Sequence, residues 1–364
     1  MNITIVAGTR PNFMKIAPII EAIKNKKDQG FNIDYRLVHT GQHYNKNLSD
    51  TFFKELNIPY PDINLEVKSG TQAEQTAAIM IGFEKELAQN PCDLVMVVGD
   101  VTSTMACTIV AKKAVVKVAH VEAGIRSGDM QMPEEINRIV TDSLTDYFFT
   151  TSTYANNNLE RLGVSKSNIF FVGNVMIDTL LKNKNRFIKP SIWNELGLEQ
   201  KKYMVLTLHR PSNVDEAQQL KSLITQIVTL GKAYPIIFPV HPRTKKILED
   251  LDLDFENLHY IEPLGYLSFN YLVKNAFAIL TDSGGITEET TVMNVPCITL
   301  RDSTERPETC EIGTNVLVGT NLDKIEDVFK ILLSGKWKQG SIPELWDGKS
   351  AERIINHLIE IYQL

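Results

Sequence analysis

Cysteine is scarce. Cys92, Cys107, Cys297 and Cys310 are the only four in 364 residues and no two stand in a CxxC spacing. That indicates neither a zinc knuckle nor a disulfide framework, and a reducing, cytoplasmic setting is expected. No apolar run approaches the ~20 residues that a membrane span requires. The chain opens on a strand-like run at residues 3–7, with no basic leader and long apolar stretch before it, so nothing is read as targeting or crossing a membrane. An excess of positive charge is also missing. The formal balance of −6 gives no general attraction to nucleic acid or an acidic membrane, so an anionic ligand has to be met by locally placed cations. There is no low-complexity tract, no GxGxxG and no P-loop, and no His/Cys/Asp set has metal-ligand spacing. No metal is expected.

What is present is an ordinary globular composition, 43% apolar and 23% charged. Because single cores seldom grow past ~250–300 residues, 364 residues suggest two domains. Short β-branched runs near 2–7, 33–38, 94–98, 117–121 and 146–150 alternate with longer amphipathic segments, the βαβ signature of a parallel sheet. The rhythm restarts after Gly173, with strands near 203–208, 235–240, 258–261, 277–281, 296–300 and 316–318. The expected α/β domains are 1–170 and 171–350, joined around 170–200 near Pro190, with a closing helix in 351–364 packing back on the first.

In open α/β sheets ligands lie beyond the carboxyl ends of the strands, so the polar residues ending each strand are candidates. The first strand runs into Gly8-Thr9-Arg10-Pro11, with Lys15 following. A glycine turn into a helix N-terminus plus two cations suits a phosphate-like anion, although a turn with two solvated cations reads the same way. Thr40-Gly41-Gln42-His43 and Gly99-Asp100-Val101-Thr102 end the next two strands. A helix N-cap alone would explain Asp100. Glu122 ends the fourth strand, with Glu134, Glu135 and Arg138 close behind. Glu134 and Glu135 can be first-turn acids after Pro133, whereas an acid ending a buried strand needs a partner or a task. Three acids on one rim would raise at least one pKa, which suits proton transfer.

In the second half, His209-Arg210 and His241-Pro242-Arg243 stand at equivalent strand ends. Asp282-Ser283-Gly284-Gly285 then leads into a helix carrying Glu288 and Glu289, a phosphate-binding loop by its physics or else a tight strand-to-helix turn. Arg306 offers a further cation.

With GTRPNFMKIAP, TGQH, VVGDVTSTMA, HVEAGIRSGD, PEEINR, GNVMIDT, TLHRPSN, PVHPRT, TDSGGITEE and RDSTERPE in this order, the chain resembles the non-hydrolysing UDP-N-acetylglucosamine 2-epimerase family over nearly its whole length. The resemblance implies a GT-B architecture, two Rossmann-like domains with parallel sheets facing a central cleft, a UDP-sugar substrate, no cofactor and a homodimer. It implies that Asp100, Glu122 and Glu134 handle protons with His209 at the reacting end, and that Arg10 and Lys15 hold the diphosphate. Ser283, Gly284, Gly285 and Glu289 would hold phosphate and ribose, with Gln42, His43, Arg138, His241 and Arg306 framing the substrate.

The chain departs from the branch that needs substrate as an activator. That branch has a further Gln after Gln-His and an Arg in the next segment, where this chain reads Gln42-His43-Tyr44-Asn45 and SGTQAEQT. The latter stretch is similar to relatives acting on 2,3-diacetamido uronic acid nucleotides. The reaction implied inverts carbon 2 of UDP-N-acetylglucosamine, giving UDP-N-acetylmannosamine, by elimination of UDP to a glycal and re-addition, without nicotinamide. A related UDP-sugar substrate, a GT-B glycosyltransferase, a hydrolysing epimerase and a catalytically silent UDP-sugar sensor are the other readings.

Overall fold

Runs such as Leu94–Val98 are apolar at every position and buried at every position, because both sheet faces are covered by helices. The computed structural model describes residues 1–41, 53, 55–240, 242–251 and 253–364, with only the backbone for 211, 242, 243 and 249. They form two compact units, Met1–Lys182 with Glu344–Leu364, and Asn183–Pro343.

The first unit holds β1 (Asn2–Ala7), β2 (Asp34–His39), β3 (Ile63–Asn64), β4 (Leu94–Val98), β5 (Lys117–Val121), β6 (Tyr147–Thr150) and β7 (Ile169–Phe171). All pair in parallel, in the order β3-β2-β1-β4-β5-β6-β7. The sequence reading missed β3 and β7, which are too short to show a period. The second unit holds β8 (Met204–Thr207), β9 (Ile236–Pro239), β10 (Leu258–Ile261), β11 (Ala278–Thr281), β12 (Cys297–Thr299) and β13 (Asn315–Leu317). Their order is β10-β9-β8-β11-β12-β13, again parallel. Both are Rossmann-like sheets, and the strand order reverses between β1 and β4 in one and between β8 and β11 in the other. Val6, Phe83, Val95 and Val97 lie in the first core. Leu206, Phe238, Leu280 and Phe329 lie in the second.

The chain's end belongs to the first unit, for reasons that are local and specific. Buried Asp178 accepts from the backbone N–H of Ser350 at 3.1 Å and of Ala351 at 2.7 Å, satisfying the start of the helix Ser350–Tyr362. Burial pushes the Asp178 carboxyl up despite those bonds. The indole of Trp346, 1% exposed, donates to the Thr151 carbonyl at 3.0 Å. Gly173 sits at φ +95°, and a Cβ there would lie 2.1 Å from the Leu345 carbonyl oxygen, so only glycine lets these backbones approach. No described helix is long and apolar enough to cross a membrane.

Candidate active site

In the first unit, the reversal between β1 and β4 is tied together by Asn12, which is 2% exposed. Its Oδ1 accepts from the backbone N–H of Gly8 at 3.0 Å and of Thr9 at 3.1 Å, and its Nδ2 donates to the Val98 carbonyl at 3.0 Å. This fixes the entry of helix Arg10–Asp28 against the end of β4. Arg10 is exposed in its first turn, and Lys15 one turn further projects Nζ to within 2.6 Å of Glu122 Oε2. Glu122 is 4% exposed and adopts φ +70°, a left-handed conformation uncommon outside glycine. It is held there by Phe149, whose carbonyl accepts from the N–H of both Glu122 and Ala123. Such strain at the end of a central strand is characteristic of functional positions. Gly99 lies against this pair: a Cβ there would come 3.2 Å from Lys15 Nζ and 3.7 Å from Glu122 Oε2.

Asp100 does not cap the following helix. The N-cap of Thr102–Lys113 is Val101, with no side-chain bond. Instead Asp100 Oδ2 accepts from Arg138 Nε at 3.1 Å and Nη2 at 2.6 Å, while Asn137 donates to the Asp100 carbonyl at 2.9 Å. Arg138 reaches Glu135 Oε2 at 2.6 Å with its other terminal nitrogen. Glu135 in turn accepts from the N–H groups of Ser127 and Gly128, at 2.9 and 3.1 Å, and these bonds with Arg138 overcome burial and hold it below the usual carboxylate range. Glu134 is half-buried in the first turn of Pro133–Leu144. The arrangement is therefore not three acids crowding one another, because Asp100 and Glu122 each stand 2.6 Å from a cation. Arg138 serves two acids of its own unit.

In the second unit, Asp282 is fully buried just past β11. It accepts from the backbone N–H of His209 at 3.0 Å and of Arg210 at 2.9 Å, from Asn213 Nδ2 at 3.1 Å, and lies 2.7 Å from His209 Nδ1. Burial alone would push its carboxyl up, but the His209 ring and these N–H groups outweigh it and hold it below the usual range. The His209 side chain is 49% exposed. Ser283 is the N-cap of Gly284–Met293 and makes no side-chain cap bond, so its hydroxyl is not spent on the helix. Gly284 and Gly285 open that helix, where backbone N–H groups and the positive dipole end suit a phosphate. Glu289 is 4% exposed and accepts at Oε1 from Tyr266 OH at 2.8 Å and Asn270 Nδ2 at 3.5 Å. Burial, reinforced by Glu288, pushes it up to about 7 in spite of those bonds. Arg306 pairs through Nε with Glu288, and Arg301 with Glu305 at 2.7 Å.

Gln42, His43 and His241 lie outside the described residues. Sequence reasoning assigned no role to Asn12, His120, Asp142 or Asp282, and read Glu135 only as a first-turn acid. Asp282 had a usable signal, since it ends a buried strand just as Glu122 does. Asp142 sits inside a helix and gave none. Among the described residues no group of three or more His, Cys, Asp or Glu is placed to hold a metal ion.

The family model described as UDP-N-acetylglucosamine 2-epimerase matches residues 24–359. A UDP-N-acetylglucosamine 2-epimerase of Methanocaldococcus jannaschii is 44% identical over 372 residues, covering 98% of this chain and 99% of that one. The crystal structure of the UDP-GlcNAc 2-epimerase of that organism in complex with UDP-GlcNAc and UDP gives a TM-score of 0.88, with 43% identity, over 99% of this chain and 100% of that one. The UDP-2,3-diacetamido-2,3-dideoxy-D-glucuronate 2-epimerase of Pseudomonas aeruginosa is 36% identical over 99% of this chain and 100% of its own.

Proposed function

The chain belongs to the UDP-N-acetylglucosamine 2-epimerase family, a family of isomerases, and from that premise we propose that it interconverts UDP-N-acetylglucosamine and UDP-N-acetylmannosamine by eliminating and re-adding UDP. The observation that carries the reading is the pair of carboxylates beside Gly99, Asp100 on Arg138 and Glu122 on Lys15, each 2.6 Å from its cation at the strand reversal of the first unit.

Carbon 2 bears a hydrogen that no adjacent carbonyl acidifies. Stretching the bond from carbon 1 to the leaving oxygen spreads positive character over the ring, as in glycoside cleavage, and makes that hydrogen acidic enough for a carboxylate. Asp100, Glu122 and Glu134 are the groups that remove it from one face and return it to the other. His209, oriented by Asp282, serves the leaving oxygen. Arg10 and Lys15 stabilise the charge that develops on UDP. In the second unit Ser283, Gly284 and Gly285 take the phosphate and Glu289 the ribose. No net oxidation occurs. Arg138, paired with Asp100, and Arg306, paired with Glu288, frame the substrate, and a cytoplasmic homodimer completes the reading.

Incubation with UDP-N-acetylglucosamine in deuterium oxide, with ¹⁸O in the bridging position, tests it. Deuterium at carbon 2 of the product, ¹⁸O scrambled into non-bridging positions and traces of glycal are expected. Deuterium without scrambling or glycal removes the elimination, and free N-acetylmannosamine in place of the UDP-sugar makes the enzyme hydrolysing. The Pseudomonas aeruginosa relative, 36% identical along its full length, supports one second reading, the diacetamido uronate as substrate. Parallel incubation with that nucleotide sugar decides between them by kcat/KM.

A further inference from the structure

His120, 0% exposed near the end of β5, is held at both ring nitrogens. Nε2 lies 2.8 Å from the Gly99 carbonyl oxygen and Nδ1 lies 2.7 Å from Asp142 Oδ1. A carbonyl oxygen only accepts, so Nε2 carries a hydrogen. Across the ring, Asp142 Oδ2 already receives the Gly124 N–H at 3.1 Å and the Arg126 guanidinium at 2.7 Å. A lone pair on Nδ1 facing a carboxylate at this distance would be repulsive, so a hydrogen must lie between them. It belongs to the ring unless Asp142 is a neutral acid, and a neutral acid is the state that the Arg126 charge disfavours. Burial alone would push Asp142 up, but His120 and Arg126 outweigh it and hold it below the usual range.

We propose that His120 donates from both ring nitrogens, to the Gly99 carbonyl and to the Asp142 carboxylate, and that it is a positioning residue for Asp100 and Glu122. By holding the Gly99 carbonyl it pins the peptide that leads directly into Asp100. Glu122 follows two residues along, just past the end of β5. Gly99 also donates its own N–H to the Val121 carbonyl at 3.0 Å, so the ends of β4 and β5 are clamped on both sides of that peptide. The ring faces Asp142 and Arg126 on one side. Beyond Gly99 on the other stand the Lys15–Glu122 pair and Asp100 with Arg138 and Glu135.

Two experiments test this. The first needs no variant and no substrate: long-range proton–nitrogen correlation spectra of the ¹⁵N-histidine-labelled protein from pH 5.5 to 8.5. One ring with hydrogens on both nitrogens, both slow to exchange with solvent, is the expected result. If every ring that keeps an exchange-protected hydrogen has a bare second nitrogen, His120 is neutral and the proposal fails. The second uses His120→Gln, which can still donate to Gly99 but carries no charge. Resting on the epimerase reading, it should lower kcat by about 10²-fold while UDP affinity by calorimetry stays within about threefold of wild type. An unchanged kcat, or a loss of UDP affinity equal to the loss of kcat, overturns the positioning claim. Because the spectra are recorded on the free protein, a failure of the epimerase reading leaves the first result standing.

Discussion

Asp282 holds His209 by both its ring and its backbone: the carboxylate lies 2.7 Å from Nδ1 and accepts the His209 N–H at 3.0 Å. With Nδ1 engaged by a buried carboxylate, Nε2 is the nitrogen that meets substrate under the proposed reading, and the tautomer is set by the protein. Asp282→Asn would present an amide N–H to Nδ1 and reverse the tautomer. Its kcat is expected to fall by about 10²-fold or more, with UDP affinity by calorimetry within about threefold of wild type. An equal loss in both would mean that the loop itself has moved.

Asp100→Asn, Glu122→Gln and Glu134→Gln should each lower turnover by about 10²–10⁴-fold while leaving UDP binding nearly intact. Ser283→Ala and Glu289→Ala should do the reverse, raising the Michaelis constant and weakening UDP itself. Steady-state kinetics beside UDP titrations separate the two groups. Near-normal turnover in all three acid variants would remove the carboxylates from the mechanism.

Glu289 ties stability to pH. Its folded-state value of about 7 lies above the ordinary 4.5, so the folded protein keeps a proton that the unfolded chain releases across that interval. The contribution is therefore greatest below pH 4.5, declines as pH rises to about 7 and is level above. The decline amounts to about 3 kcal/mol. Urea unfolding of wild type and Glu289→Gln at pH 5 and 8 should show the variant gaining relative stability at pH 8, and a pH-independent difference would contradict the assignment.

Gly173→Ala tests the tie between the chain's end and the first unit. Its Cβ would meet the Leu345 carbonyl at 2.1 Å, whereas at Gly163, also left-handed at φ +83°, nothing lies within 4 Å. Gly163→Ala should cost about 1 kcal/mol from backbone conformation alone. Gly173→Ala should cost more than about 3 kcal/mol or displace the segment from Glu344 onward. Thermal unfolding of the two variants side by side measures the difference.

Most of the fold was legible because buried parallel strands are apolar without interruption. Leu94–Val98 and Lys117–Val121 fall where the pattern places them. Ile63–Asn64 and Ile169–Phe171 did not announce themselves, since two or three residues at the flank of a sheet carry no period. The sequence placed the join within 170–200 and expected the closing helix to return to the first domain, but the division at Lys182 and Pro343 carries no local mark. It depends on Asp178, Trp346 and Gly173 meeting partners far along the chain, as in the Trp346 bond to Thr151, 195 residues away.

The same distinction holds at the site. That Glu122 ends a strand and that Ser283 precedes a glycine-opened helix are local properties, so the sequence alone determined them, together with the motif order that identifies the family. Which cation each acid meets was decided by strand order. Lys15 reaches Glu122 across 107 residues, and Arg138 reaches Asp100 across 38. These pairs exist because β4 lies between β1 and β5, bringing three strand ends together at one reversal. Strand order is a non-local outcome of how the crossovers cover the sheet, and no window of sequence contains it.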